Sequence, residues 1–441
     1  MRVLTSERQT NLLPLRIISV GVISLALMAE RPPFAATFAI LGLGLFAWTI
    51  WGSPTRGDSN FSRIGPWLPL LILLLSLLIS RSGVPDSVTA ARLPAAVIGG
   101  MACLAVLFGA GRRAWTVVGV TLALTSAVVV TTQVLVAEWN SQLGSDIYHA
   151  HRAGGEALLD GENPYSDAVR FLNGSPNAGD GAVIEGYPYP PIVLFTFGLV
   201  GAFTDPRLVS VVAWFAVLAW FAKAALSTRD QSDGYLVVFL MLATLPEWPL
   251  LLFMSWTEPL SLALFLAAAL TWRRGAPVSG ILLGLTLASK QYLVFLAPLL
   301  LLHRDDDWAK RAAWAAATAL VVLVPPLLID PVAYFDSIIG TLTGIGFRPD
   351  SLSIVGLLDG FGIRFEMAHW AWLIYGFAVA GLVSIGSRVW SNFLGRAGLI
   401  LGLTYFMSAA FANYWFLIMG MLAISTILDD RRQVVTEPAS T

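Results

Sequence analysis

Asp146 and Lys290 are the residues whose type and surroundings point most directly to chemistry. Asp146 sits where a short helix is expected to begin, and a carboxylate there can cap the helix or take a proton from a hydroxyl held beside it. Lys290 is flanked by the apolar runs 281–288 and 293–302. A cation within or beside a hydrophobic span is costly unless it is paired or faces water, so a functional partner is the default expectation, and a lipid-borne phosphate suits it. In the alternative, two short helices turn at Ser289 and the lysine stretches to the headgroups. Arg152 and Arg348 are expected on the same face as Asp146, where guanidinium would grip phosphate in bidentate fashion or simply touch headgroups. His149 and His151 are two apart, so on a helix they diverge and form no metal pair; both are expected near the surface, with His149 the nearer to Asp146. Cys103 is the sole cysteine, which excludes an intramolecular disulfide and a cysteine metal cluster. No cofactor is indicated.

The elements that position these residues are membrane helices. Hydrophobic residues make up 56% of the 441 and charged residues only 12%, where soluble chains carry roughly a quarter charged. The expected fold is all-α and polytopic, with about 12–14 spanning or half-spanning helices. Spans are expected at about 12–29, 34–52, 66–80, 94–110 and 114–137, then at 189–203, 207–227, 235–253, 256–271, 276–302, 311–329, 368–386, 397–411 and 413–428. Two long polar segments, 138–188 and 330–367, interrupt them. Arginines in the short loops place both termini in the cytoplasm and both long segments outside. The counts from the two ends disagree in between, because Arg207, Arg229 and the pair Arg273 and Arg274 cannot all be cytoplasmic if every run crosses once. One run, the short 189–203 or the proline-broken 235–258, is therefore expected to be re-entrant or a half-helix. A net charge of -1 gives no sign of a nucleic-acid partner.

The first polar segment reads Ser145-Asp146-Ile147-Tyr148-His149-Ala150-His151-Arg152, continues to Ala157-Leu158-Leu159-Asp160-Gly161-Glu162-Asn163-Pro164-Tyr165, and closes on Gly186-Tyr187-Pro188-Tyr189-Pro190-Pro191. Ser145 or Asp146 caps a helix start, Gly161 suits the left-handed position past its end, and Pro164 forbids continuation. Ile147, Ala150 and Leu158, with Tyr148 and Leu159 alongside, give this helix an apolar stripe suited to the membrane surface. Tyr187 and Tyr189 suit the interfacial belt. Together with Ala288-Ser289-Lys290-Gln291-Tyr292, Pro298 and Asp350-Ser351-Leu352-Ser353, these stretches resemble the GT-C glycosyltransferases, especially the polyprenol-phosphate-mannose-dependent mannosyltransferases. The likeness spans about residues 146–415. This chain departs from that pattern in placing five spans before the first long loop, and in having Asn413-Tyr414-Trp415 where some members carry a histidine.

The resemblance implies transfer of a sugar, mannose or a similar hexose or pentose, from a polyprenyl-phosphate donor to a hydroxyl on a glycolipid, glycan or protein, with inversion, at the outer face of the plasma membrane. Such a reaction needs a base for the acceptor's proton and cations for the leaving phosphate. On that reading Asp146 is the base and Lys290, Arg152 and Arg348 bind the donor phosphate. Tyr148, His149, Tyr187, Tyr189, Glu258 and Asn413 contact the sugar or the acceptor; Glu247 and Glu258, which bracket Trp248, Pro249 and Trp256, would set carboxylate and indole together, or act only as helix caps. The chain then divides into 1–137 (N-terminal spans), 138–188 (catalytic loop), 189–329 (core with the phosphate site), 330–367 (second loop) and 368–441 (last spans and tail). A transporter or flippase of a lipid-linked sugar would use similar polar groups but favours paired halves, and no internal repeat is found. A non-catalytic envelope-assembly scaffold is the third reading.

Overall fold

The structure is a computed structural model that describes residues 13–28, 41–43, 45, 86–108, 113–137, 145–172, 183–227, 232–245, 247–302, 307–340, 351–359, 361–363, 369–385, 391–406 and 412–436. Most of the expected spans at 34–52 and 66–80 lies outside these residues, as do Arg348 and Asp350.

The described chain is helical apart from one antiparallel hairpin, Arg170–Leu172 with Val183–Glu185. Three described helices are long and apolar enough to cross a membrane: Arg113–Val136, Arg207–Ser227 and Trp308–Ile329. Shorter apolar helices surround them, including Pro191–Phe203, Glu258–Thr271, Ala276–Leu287 and Asn413–Leu428. Proline opens several, at Pro191, Pro249, Pro259 and Pro277, where its missing N–H would have no helical partner in any case.

Large side chains point both inward and outward, the pattern of a protein whose solvent is lipid. Trp214, Trp248 and Trp415 are sealed in the centre, while Val212, Val321, Leu328 and Leu382 are each more than 70% exposed. Two of the central indoles have partners for their N–H groups, and Trp214 Nε1 has none among the described residues. Trp248 donates to Thr131 Oγ1 (2.8 Å) and Trp415 to the Leu352 carbonyl (3.0 Å). Trp214 stacks on Trp248 and packs against Phe416, which ties the middle of the chain to its last helix.

Two of the expected runs are broken. The 235–253 run divides into Ser232–Ala243 and Trp248–Phe253. The 276–302 run is a helix over Ala276–Leu287, a turn at 288–289, extended backbone at Lys290, a 3-10 turn over Gln291–Leu296 and a helix over Ala297–Leu302. Non-helical backbone at such depth is tolerated only where protein covers it. Here the break at 288–290 faces the first turn of the Glu258–Thr271 helix: Ser261 and Ser289 share a hydrogen bond (2.7 Å), and Lys290 meets Glu258.

Candidate active site

The first polar segment builds a rigid platform. Ser145 caps the helix Asp146–Leu159 by accepting from the Tyr148 amide, and its own hydroxyl donates to the Met254 carbonyl (2.8 Å). At the other end Glu162 N–H reaches the Ala157 carbonyl and Gly161 N–H that of Leu158, a left-handed closure with Gly161 at φ +75°. The helix lies against Pro191–Phe203 at backbone contact. A Cβ on Gly155 would fall 1.9 Å from the Gly198 carbonyl oxygen, and one on Gly201 would press on the His151 backbone. Its buried stripe is therefore Tyr148, Ala150, His151, Gly154, Gly155 and Ala157, rotated from the expected one, and Leu159 is exposed. Within Pro191–Phe203 a π-helical turn occupies Leu194–Gly198.

Tyr165 binds the platform to the second polar segment. Ser337 donates to the Tyr165 carbonyl (2.6 Å), and the Tyr165 and Tyr334 rings meet edge to face. Gly186, at φ +81°, lets the chain pass directly under Ser337. The Tyr187 and Tyr189 rings, expected in the interfacial belt, are buried inside this platform instead, with Tyr165 donating to the Tyr189 carbonyl (3.2 Å).

At the foot of the platform lies a buried ion pair. Lys290 Nζ is 3.0 Å from Glu258 Oε1, and the same oxygen accepts from Asn413 Nδ2 (2.9 Å) and Tyr292 Oη (3.1 Å). Glu258 sits in the first turn of its helix, where the backbone favours a negative charge. Its second oxygen has no hydrogen-bond partner among the described residues, nor does Asn413 Oδ1. The ammonium lies over the Tyr189 ring at 4.5 Å and near that of Tyr292 at 5.8 Å, contacts that attract a cation. The Tyr189 ring also packs against His151 (5.5 Å), which stands on the helix that begins with Asp146.

The sequence-derived site residues fall into groups. Glu258, Lys290, Asn413 and Tyr189 converge. Asp146 stands at the start of the loop helix, half-buried, with Oδ1 accepting from the Ile147 amide (2.8 Å). Tyr148 is buried beneath the Arg207 guanidinium (5.1 Å), which forms a buried ion pair with Asp205. Tyr187 gives its hydroxyl to His151, and His149 packs edge-on against Tyr148. Arg152 lies among solvent-facing groups, near Glu156 (3.7 Å). Glu247 is buried one residue before the Trp248–Phe253 helix. Arg348 lies outside the described residues.

His151 is a further departure from expectation, and the Tyr292–Glu258 contact was unforeseen. His151 is fully buried rather than at the surface, with Nδ1 2.8 Å from Tyr187 Oη and Nε2 3.3 Å from the Ser255 carbonyl, its ring stacked on Phe197. The glycine pair 154 and 155 was the sign of close packing that sequence reading passed over. Tyr292 lay in a quoted motif, but nothing in the sequence tied it to Glu258. Among the described residues no cluster of three or more His, Cys, Asp or Glu is arranged to hold a metal ion.

In comparison with known proteins, the model of glycosyltransferase family 87 matches residues 187–420, more than half of the chain. No curated protein and no solved structure matches the chain. The matched span holds Tyr187, Tyr189, Glu258, Lys290, Tyr292 and Asn413; Asp146 lies before it.

Proposed function

The chain belongs to glycosyltransferase family 87, and from that membership we propose that it moves a sugar, mannose or another hexose or pentose, from a polyprenyl-phosphate donor to a hydroxyl acceptor. The family makes it a membrane glycosyltransferase; the donor class and the roles of residues are our reading. The observation that carries it is Lys290, a cation buried at a break between apolar helices and lying over the Tyr189 ring, which itself packs against His151 of the helix that begins with Asp146.

In the proposed step the acceptor oxygen bonds to the anomeric carbon with inversion, and its proton passes to the Asp146 carboxylate. The bond from the anomeric carbon to the phosphate oxygen breaks, and its electron pair stays on the phosphate. A phosphodiester with one negative charge thereby becomes a monoester with a second, and a fixed cation at that oxygen stabilises the developing charge. Lys290 has three N–H donors and spends one on Glu258, so a phosphate oxygen can share it. Arg207 is committed to Asp205, and Arg311 and Arg396 hold main-chain carbonyls at Trp272 and at Val383. One cation suits a lipid phosphodiester better than a pyrophosphate, whose extra charge would need more. Glu258 and Asn413, with acceptor atoms to spare, suit sugar hydroxyls. The contact between the two polar segments, through Tyr165 with Ser337 and Tyr334, supports both lying on one side, which we take as the outer face of the plasma membrane, with the termini cytoplasmic.

The test is a transfer assay with purified protein, a panel of radiolabelled polyprenyl-phosphate sugars and glycolipid acceptors, run on wild type and Asp146→Asn. Turnover by wild type alone supports the reading. Equal turnover by both removes Asp146 from the mechanism, and none by either moves a flippase of lipid-linked sugars ahead.

A further inference from the structure

Three successive carbonyls just before Glu258 are each held by a side chain from another element. Ser145 Oγ donates to Met254 (2.8 Å), His151 Nε2 to Ser255 (3.3 Å) and Ser210 Oγ to Trp256 (2.9 Å). Two of these donors are the cap and a residue of the loop helix that begins with Asp146. Between them Ser255 adopts φ +56°, the left-handed conformation, and no other non-glycine residue among those described has a positive φ. A serine holds that conformation only where its surroundings over-determine it. Three residues later the chain enters the helix headed by Glu258, the partner of Lys290.

We propose that His151 is a positioning residue: by holding the Ser255 carbonyl it fixes the turn at 254–257 and so sets the Glu258–Lys290 pair in register with Asp146. The inference rests on the reading that Asp146 and Lys290 serve one reaction. A carbonyl can only accept, so Nε2 carries the proton, and Tyr187 Oη donates to Nδ1. This is the neutral ring, in keeping with burial that pushes His151 down to about 3. The ring is wedged between Phe197 (4.7 Å) and Tyr189 (5.5 Å), and Tyr189 also carries Lys290. The same imidazole thus supports both the main chain leading to Glu258 and the aromatic face beneath the lysine.

The experiment compares purified wild type, His151→Phe, His151→Asn and His151→Gln. Phenylalanine keeps the stacked ring without either hydrogen bond; asparagine offers an acceptor near Nδ1; glutamine places a donor near Nε2. For each, kcat per folded molecule is measured with the wild type's donor and acceptor, and reaction of Lys290 with an amine-acylating reagent is followed by mass spectrometry. A misplacement of about 1 Å costs on the order of a hundredfold, so Phe and Asn should lose about 10- to 100-fold in kcat and expose Lys290 to the reagent, while Gln stays near wild type in both. A Phe variant equal to wild type in kcat and in labelling overturns the proposal. So does a Gln variant that falls as far as Phe and Asn, since the Nε2 bond would then not be what matters. If wild type transfers no sugar, the functional reading fails by itself, and labelling of Lys290 across the four proteins still decides whether His151 holds the turn.

Discussion

Lys290 Nζ and Glu258 Oε1 lie 3.0 Å apart with neither side chain more than 4% exposed. A pair so placed has lost its water, and its attraction only offsets that loss with help from further donors, which Tyr292 and Asn413 supply. Removing one partner strands the other. Lys290→Met should therefore destabilise the protein by about 3–5 kcal/mol, whereas the double variant Lys290→Met with Glu258→Met should recover most of it, because a buried pair replaced by apolar groups is often neutral. Denaturant unfolding in detergent measures both, and neither variant should transfer sugar. A single variant as stable as wild type would show that the pair opens to water.

Asp146→Asn separates chemistry from structure. The amide oxygen of asparagine can still accept from the Ile147 N–H, and Ser145 still caps the helix, so the melting temperature should be unchanged. Loss of a general base typically costs 10²- to 10⁴-fold, and kcat should fall by about that much. A variant that melts early would place Asp146 in the fold instead of in the reaction.

Spans were legible where one physical rule decides them. The Arg207–Ser227 helix falls where its apolar run does, and Leu13–Met28 and Arg113–Ala137 lie within a residue of theirs, because hydrocarbon thickness fixes the length. The cap at Ser145 and the stop at Gly161 were legible for equally local reasons. The break at Lys290 was not decided by its residues: a turn at Ser289 fitted as well as a continuous span, and what keeps the lysine from the headgroups is Glu258, more than thirty residues away. His151 was misread for a related reason. A helix with charges on one side reads as surface-lying, but Gly154 and Gly155 let it sink onto Gly198 and Gly201, which buries the stripe that holds the histidine.

Those glycines yield a graded prediction. Gly155→Ala would set its Cβ 1.9 Å from a backbone oxygen, so one helix must move; Gly161→Ala meets nothing within 4 Å and bears only the strain of φ +75°. Left-handed strain costs a non-glycine residue about 1–2 kcal/mol. Overpacking against main chain costs about 1–3 kcal/mol or more and shifts the backbone. Gly155→Ala should thus reduce both melting temperature and transfer, and Gly161→Ala melting temperature alone. Full activity in Gly155→Ala would mean that the loop helix need not sit so close.

Acid should reveal His151 through stability. Its folded pKa is lowered from 6.5 to about 3, chiefly by burial, with the Lys290 charge a lesser cause. Between those values the unfolded chain binds a proton that the native chain refuses, so stability rises with pH across that window. The contribution is complete above 6.5 and is lost as pH falls toward 3, at about 1.4 kcal/mol per pH unit. Phenylalanine at 151 cannot titrate. Carboxylates that also respond to acid are common to both proteins, so the difference between wild type and His151→Phe isolates the imidazole. Thermal unfolding in detergent from pH 7.5 to 4.5 should show wild type losing about 2–3 kcal/mol more than His151→Phe below pH 6.5. Parallel curves would mean that the folded protein protonates His151 as readily as the unfolded chain does, and that water reaches the ring.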